Sequence, residues 1–177
     1  VTTAYSADVR LSVLFHEVIA SGLKSGSVPT LLSEIIDLQP GTADVQINVA
    51  FAKTETGIAA SVTTVYDLIG SLTNTEGTAL NFDEVVLVAL RNKSSTPLNV
   101  LTMGPDATAG FGALANNKGL WADASDRSVI QADTWYVAYV KAGVPAVAAT
   151  TDELAVITAS GSSSNTWDIL ILGRDNP

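Results

Sequence analysis

Few residues in this chain have types and spacing that could do chemistry. The sole histidine, His16, stands beside Glu17, and an imidazole oriented by a carboxylate is the start of a general base. No nucleophile can be placed next to it, so the pair reads as structural or surface. Asp83-Glu84 and Asp152-Glu153 are adjacent carboxylates. Neighbours on a strand point to opposite faces, so neither pair converges on a substrate or metal, and both read as solvated charge at strand entrances. Asp123 and Asp126 have the short spacing of a calcium loop, but the longer ligand series, glycine and closing glutamate of such a loop do not follow. The segment reads as a turn. The Gly-rich run from Gly104 lacks a following Gly-Lys-Ser/Thr and is no phosphate loop. Trp121, Trp135, Tyr136, Tyr139 and Trp167 would make a sugar-stacking platform if several were exposed, with core packing as the plainer alternative. No catalytic, cofactor-binding or metal-ligating set assembles from these residues, and enzymatic activity is not expected.

Composition narrows the partners. The 177 residues carry 9 basic and 18 acidic side chains, a net charge of -9. The basic residues are scattered singly, and such a surface repels phosphate backbones and anionic lipid headgroups. Neither nucleic acid nor membrane is expected as a partner. The chain has no cysteine, which removes disulfides, thiol nucleophiles and Cys-ligated zinc. No apolar run reaches the roughly 18 residues of a membrane span. The N-terminal residues show no basic segment leading into an apolar one, so a signal peptide is not expected. Hydrophobic residues at 47% against 15% charged supply ample core for one domain.

The elements that must position these groups read as strands. Val45, Ile47, Val49 and Phe51 alternate with polar or small neighbours, the pattern of a half-buried strand. Val62–Ile69 reads as a strand ending at Gly70, and Asn74–Gly77 as a turn with Gly77 suited to positive φ. Phe82–Leu90 contains the continuous apolar run Val85–Leu90, which predicts a central strand covered on both faces. Further strands are expected over Leu98–Met103, over Leu120-Trp121 and Ser128–Gln131 as one interrupted strand, and over Trp135–Lys141, Glu153–Ala159 and Thr166–Leu172. A turn is expected at Gly143–Pro145, and a long surface loop over 104–119 anchored by Phe111 and Leu114. At the N-terminus Leu11, Leu14, Phe15, Val18 and Ile19 fit helical spacing, while Val9, Leu11, Val13 and Phe15 alternate as a strand. The β-rich remainder favours strand, with helix over 9–24 left open. Leu31–Leu38 reads as a strand or a helical turn. Nine to ten short strands at 10–15-residue spacing predict an all-β fold, an antiparallel two-sheet sandwich of jelly-roll type over 31–177, preceded by an arm over 1–30.

Tyr66-Asp67-Leu68-Ile69-Gly70-Ser71-Leu72-Thr73, then Gly77, Phe82 and the apolar run closed by Arg91-Asn92-Lys93, resemble a recurrent family of small virion structural proteins of tailed bacteriophages. The ending Trp167-Asp168-Ile169-Leu170-Ile171-Leu172-Gly173 matches the family's terminal aromatic-Asp-aliphatic-Gly pattern. The likeness spans about 40–173 and is best over Asp67–Lys93. It departs at Ser94–Met103, where relatives carry a Gly-rich segment, and in the first 40 residues. The resemblance implies a non-enzymatic head decoration (cement) protein on the outer capsid surface, assembled in the bacterial cytoplasm. Its implied partners are the major capsid protein and further copies of itself, with a trimer as the working stoichiometry. A tail, neck or spike component and a carbohydrate-binding module are the alternatives. Val9, Leu11, Val13 and Phe15 on the arm, with Phe111 and Leu114 on the loop, are the expected partner contacts.

Overall fold

A computed structural model describes residues 6–21, 24–74, 76–107, 110–111, 120–121, 125–146 and 152–175, with the backbone alone over 7–35. The described elements are all strands: β1 (Ala7–Ser21), β2 (Lys24–Pro40), β3 (Gln46–Ile47), β4 (Val49–Ile58), β5 (Thr63–Asp67), β6 (Ile69–Thr73), β7 (Ala79–Asn81), β8 (Glu84–Asn92), β9 (Leu101–Pro105), β10 (Ser128–Ile130), β11 (Trp135–Pro145), β12 (Glu153–Thr158) and β13 (Asn165–Arg174). Two four-stranded antiparallel sheets, ordered β11-β8-β13-β4 and β10-β9-β12-β5, form the body. Their inner faces meet in one core that takes Phe51, Val88, Trp167 and Ile171 from the first sheet and Tyr66, Met103, Leu154 and Val156 from the second. This is a β-sandwich. In chain order β4 enters the first sheet, β5 the second, β8 the first, β9 and β10 the second, β11 the first, β12 the second and β13 the first.

The continuous apolar run behaves as its composition predicts. Strand β8 lies between β11 and β13, and Val85 through Leu90 are all buried. Val85, Val88 and Leu90 join the main core, whereas Val86, Leu87 and Ala89 join a second cluster with Leu38, Ile47 and Leu172. The far side of β8 is therefore roofed by the segment just before β4. Close approach also explains Gly173: a Cβ there would lie 2.3 Å from the Glu84 carbonyl, where β13 shifts register against β8.

The stretch Val62–Ile69 is not one strand. It breaks at Leu68, whose amide donates to the Asp152 carbonyl and whose own carbonyl accepts from Phe82 N–H. Asp67 Oδ1 accepts from the Ile69 amide at 3.0 Å, and Asp67 also accepts from the Ser71 hydroxyl. The chain thus leaves the second sheet and forms the separate hairpin β6–β7. Its turn is held by Asn74 Oδ1, which accepts from Glu76 and Thr78 N–H, and Gly77 takes φ +80° as anticipated.

Other boundaries move for identifiable reasons. Strand β9 begins at Leu101 rather than Leu98, because Asn99 turns its side chain inward to bond Ser94 Oγ and the Ser163 carbonyl. Gly143–Pro145 is no chain reversal but part of β11. The ladder passes from Tyr139↔Leu87 to Val144↔Val85, so the glycine sits in a bulge whose Ala142 carbonyl accepts from Arg174. Of the segment over 9–24, residues 9–21 and Lys24 are strand, not helix, and 22–23 lie outside the described residues. Strand β1 pairs antiparallel with β2 over its whole length, from Ala7↔Leu38 to Ser21↔Lys24. Strand β2 spans the division placed at residue 30, and the separate parallel pairing of Gln39 and Pro40 with β3 leads into the body.

Candidate functional site

The carboxylates singled out in the sequence have structural employment. Glu84 is not merely solvated, since its Oε2 accepts from the buried Arg174 at 2.7 Å. Asp152 is buried. Glu153 lies near Asp67, Asp106 and Asp152. Desolvation first, then the charge and hydrogen bond of Asp106, raise its pKa above the ordinary glutamate value. Among the described residues no three His, Asp or Glu side chains converge on a metal position. Asp123 falls outside the described residues. His16 and Glu17 lie on β1 at register positions opposite Pro29 and Val28.

The expected partner contacts separate. Val9, Leu11, Val13 and Phe15 are on β1, opposite Ile36, Glu34, Leu32 and Thr30. Leu114 lies outside the described residues. Phe111 is not on a surface at all. It is 0% exposed and belongs to the main core, with its amide donating to the Glu153 carbonyl at 2.8 Å. In a segment of small residues it is the one large ring, and it is spent as a plug between the sheets. The aromatic set also divides: Trp121 and Trp167 are buried, Tyr136 and Tyr139 half-buried, and Trp135 is 63% exposed.

Three features stand out among the described residues. The first is the β1–β2 ribbon. Fifteen residues of β1 extend about 50 Å at strand rise. Among the described strands β3 alone pairs with it, at Gln39–Pro40, and none of the two main sheets does.

The second is a groove of ≈ 580 Å³ on the outer face of the β11-β8-β13-β4 sheet. Register builds it in rows across the strands. One row runs Trp135, Arg91, Asp168, Thr54, and the next runs Val137, Ala89, Leu170, Ala52. The Arg91 guanidinium lies over the Trp135 ring, 5.3 Å from its centroid. Asp168 Oδ1 accepts from Thr54 Oγ1 at 2.6 Å and from Lys93 Nζ at 3.3 Å. The Thr54 bond, with Lys93 adding to it, holds the Asp168 carboxyl below its ordinary range. Lys53 pairs with Glu55 at 2.7 Å and Arg91 approaches Asp133 at 4.0 Å. Of these groups the sequence marks Trp135 as a candidate ligand contact, and Arg91, Lys93 and Asp168 only as parts of structural motifs. Alternation in Trp167-Asp168-Ile169 does put Asp168 outward, but its meeting with Thr54 and Lys93 depends on strand order.

A further concavity of ≈ 620 Å³ lies beside β4 and β5, lined by Phe51, Glu55, Tyr66 and Asp67 among others. Tyr66 Oη accepts from Trp167 Nε1 at 2.9 Å and approaches Glu55 at 3.5 Å. Burial raises the Tyr66 pKa, so the phenol stays protonated and serves as a core hydrogen-bonding group.

No protein-family model, curated protein or solved structure matches this chain.

Proposed function

We propose that the chain is a non-enzymatic virion structural protein of a tailed bacteriophage, a decoration protein that binds the major capsid protein on the outer head surface and stabilises the shell. The observation that carries this reading is the β1–β2 ribbon. A two-stranded hairpin is marginal in water by itself, and this one has 15 and 17 residues in its strands, with only its base paired to another strand among the described residues. A ribbon of that length gains its stability by lying against, or adding strands to, another subunit. The reading is further supported by the distribution of the eight body strands between two sheets, which follows the double Greek key of jelly rolls, an architecture shared by viral capsid and lectin domains. Fold alone carries no function. The acidic surface suits an exterior position away from packaged DNA.

The test is co-sedimentation with particles stripped of the protein, comparing the full chain with a variant whose residues 9–34 are replaced by a short Gly-Ser link. Leu38 and Ile47, which roof the body, stay in place. The variant should keep a cooperative unfolding transition and lose particle binding. Undiminished binding, or immunogold label on the tail, removes the decoration reading.

A further inference from the structure

We infer that the outer-face groove beside Trp135 is a binding site for a neutral oligosaccharide. The inference rests on Trp135, Arg91, Lys93 and Asp168, none of which is on the ribbon.

Three properties of the groove lead to this class of ligand. First, Trp135 stands on the edge strand β11 with 63% of its surface exposed, and the Arg91 guanidinium covers one side of the ring. The cation lies to one side of the indole, and with 63% of the residue exposed the rest of the ring is available to a ligand. An aromatic face is electronegative, and the C–H-bearing side of a pyranose is its electropositive complement.

Second, the polar groups are displayed in matched pairs. The charged side chains lining the groove are Lys53, Lys93 and Asp168; Lys93 pairs with Asp168, and Lys53 with Glu55, which lines the neighbouring concavity. The groove offers both donors and acceptors. The bonds that Asp168 accepts from Thr54 and Lys93 both fall on Oδ1, so Oδ2 is left as an acceptor, and the Lys93 ammonium has further N–H donors. Vicinal hydroxyls, each donor and acceptor together, fit such a row. A phosphate or carboxylate ligand would meet the Asp168 carboxylate already seated beside Lys93.

Third, the floor is shallow and made of small or aliphatic side chains, Ala52, Ala89 and Leu170, so a flat ring can lie against the sheet. Trp135 and Asp168 are two strands apart, about 10 Å at the usual interstrand spacing. One pyranose cannot engage both, which is why an oligosaccharide is assigned.

The probe is a panel of neutral hexasaccharides (malto-, cello-, manno- and chito-series) titrated into the full chain. Binding is read by calorimetry and by protection of Trp135 from acrylamide, with Trp121 and Trp167 buried and silent. At least one series should bind at concentrations up to about 10 mM. Trp135→Ala should weaken it by at least about tenfold, and Asp168→Asn by several-fold. Both variants should unfold cooperatively, because each changes a solvent-facing position. Binding of no series overturns the inference. So does binding that Trp135→Ala leaves unchanged. Loss of self-association in Trp135→Ala by sedimentation velocity, without saccharide binding, also overturns it and makes this face a contact between copies of the chain. Capsid co-sedimentation is unaffected by any of these outcomes.

Discussion

Arg174 Nε donates to Glu84 Oε2 at 2.7 Å, and the Arg174 side chain is only 2% exposed against 30% for Glu84. The same guanidinium donates from Nη1 to the Ala43 carbonyl at 2.7 Å and from Nη2 to the Ala142 carbonyl. One cation at the end of β13 therefore ties the start of β8, the bulge in β11 and the turn before β3. Removing one partner of a buried ion pair leaves the other charge uncompensated, a loss of about 3–5 kcal/mol when both are fully buried. Because Glu84 is partly exposed, Glu84→Ala should cost about 2–3 kcal/mol. Asp44, 3.9 Å from Arg174 and 62% exposed, should cost less than about 0.5 kcal/mol as Asp44→Asn. Urea unfolding of the two variants checks the contrast, and equal costs would remove Glu84 as the principal counter-ion.

Phe111 gives the second prediction. A ring that met a partner on a surface loop could be truncated without loss of stability in the isolated chain. Buried in the core, Phe111→Ala should instead cost about 3–5 kcal/mol by lost transfer energy and residual cavity. Thermal unfolding of the purified variant distinguishes the two, and an unchanged midpoint would return Phe111 to the surface.

How far the sequence was legible depended on whether a residue's surroundings lie in its own strand. Val85–Leu90 announced a doubly covered central strand because both faces of β8 are apolar in the sequence itself. The period-2 pattern of β11 was equally visible, but its sense was not. Trp135, Val137 and Tyr139 alternate with Tyr136, Ala138 and Val140, and both sets are apolar. The structure turns Tyr136 and Val140 toward the core and leaves Trp135 and Val137 outside. Nothing in the local sequence marks Arg174 as buried, because the carbonyls it satisfies are 131 and 32 residues away. The break at Leu68 was likewise hidden, since it depends on Asp152 and Phe82 backbone groups from other elements. The groove shares that origin: Trp135, Asp168 and Thr54 come from three strands, and only the sheet order makes them neighbours.

The Tyr66–Trp167 bond supplies the third prediction. Trp167 is 0% exposed and Tyr66 2%, and the indole N–H has the phenol oxygen as its acceptor at 2.9 Å. Tyr66→Phe keeps the ring that packs edge-on against Phe51 and removes the acceptor of the indole N–H together with the long 3.5 Å contact to the partly exposed Glu55. A buried donor left unsatisfied costs about 1–3 kcal/mol. The variant should therefore lose stability in that range and shift the near-ultraviolet circular dichroism of Trp167. A neutral substitution would mean that the indole N–H has another acceptor.

Stability should also depend on pH through two acidic groups of opposite sign. The folded pKa of Asp168 is depressed, chiefly by the Thr54 hydrogen bond and then by Lys93. Its contribution is present above the ordinary aspartate value and is lost as pH falls through the folded one. The folded pKa of Glu153 is raised, by desolvation and then by Asp106 and its acidic neighbours. Its contribution is present below the ordinary glutamate value and is lost as pH rises through the folded one. Glu153→Gln should therefore raise the urea midpoint at pH 7 relative to the parent chain, and the difference should shrink on acidification. Asp168→Asn should lower the midpoint at pH 7, again with a difference that shrinks in acid. Midpoints measured between pH 3 and 8 test both, and a Glu153→Gln chain that is less stable than the parent at pH 7 would show that the carboxylate is held by attraction rather than crowded by its neighbours.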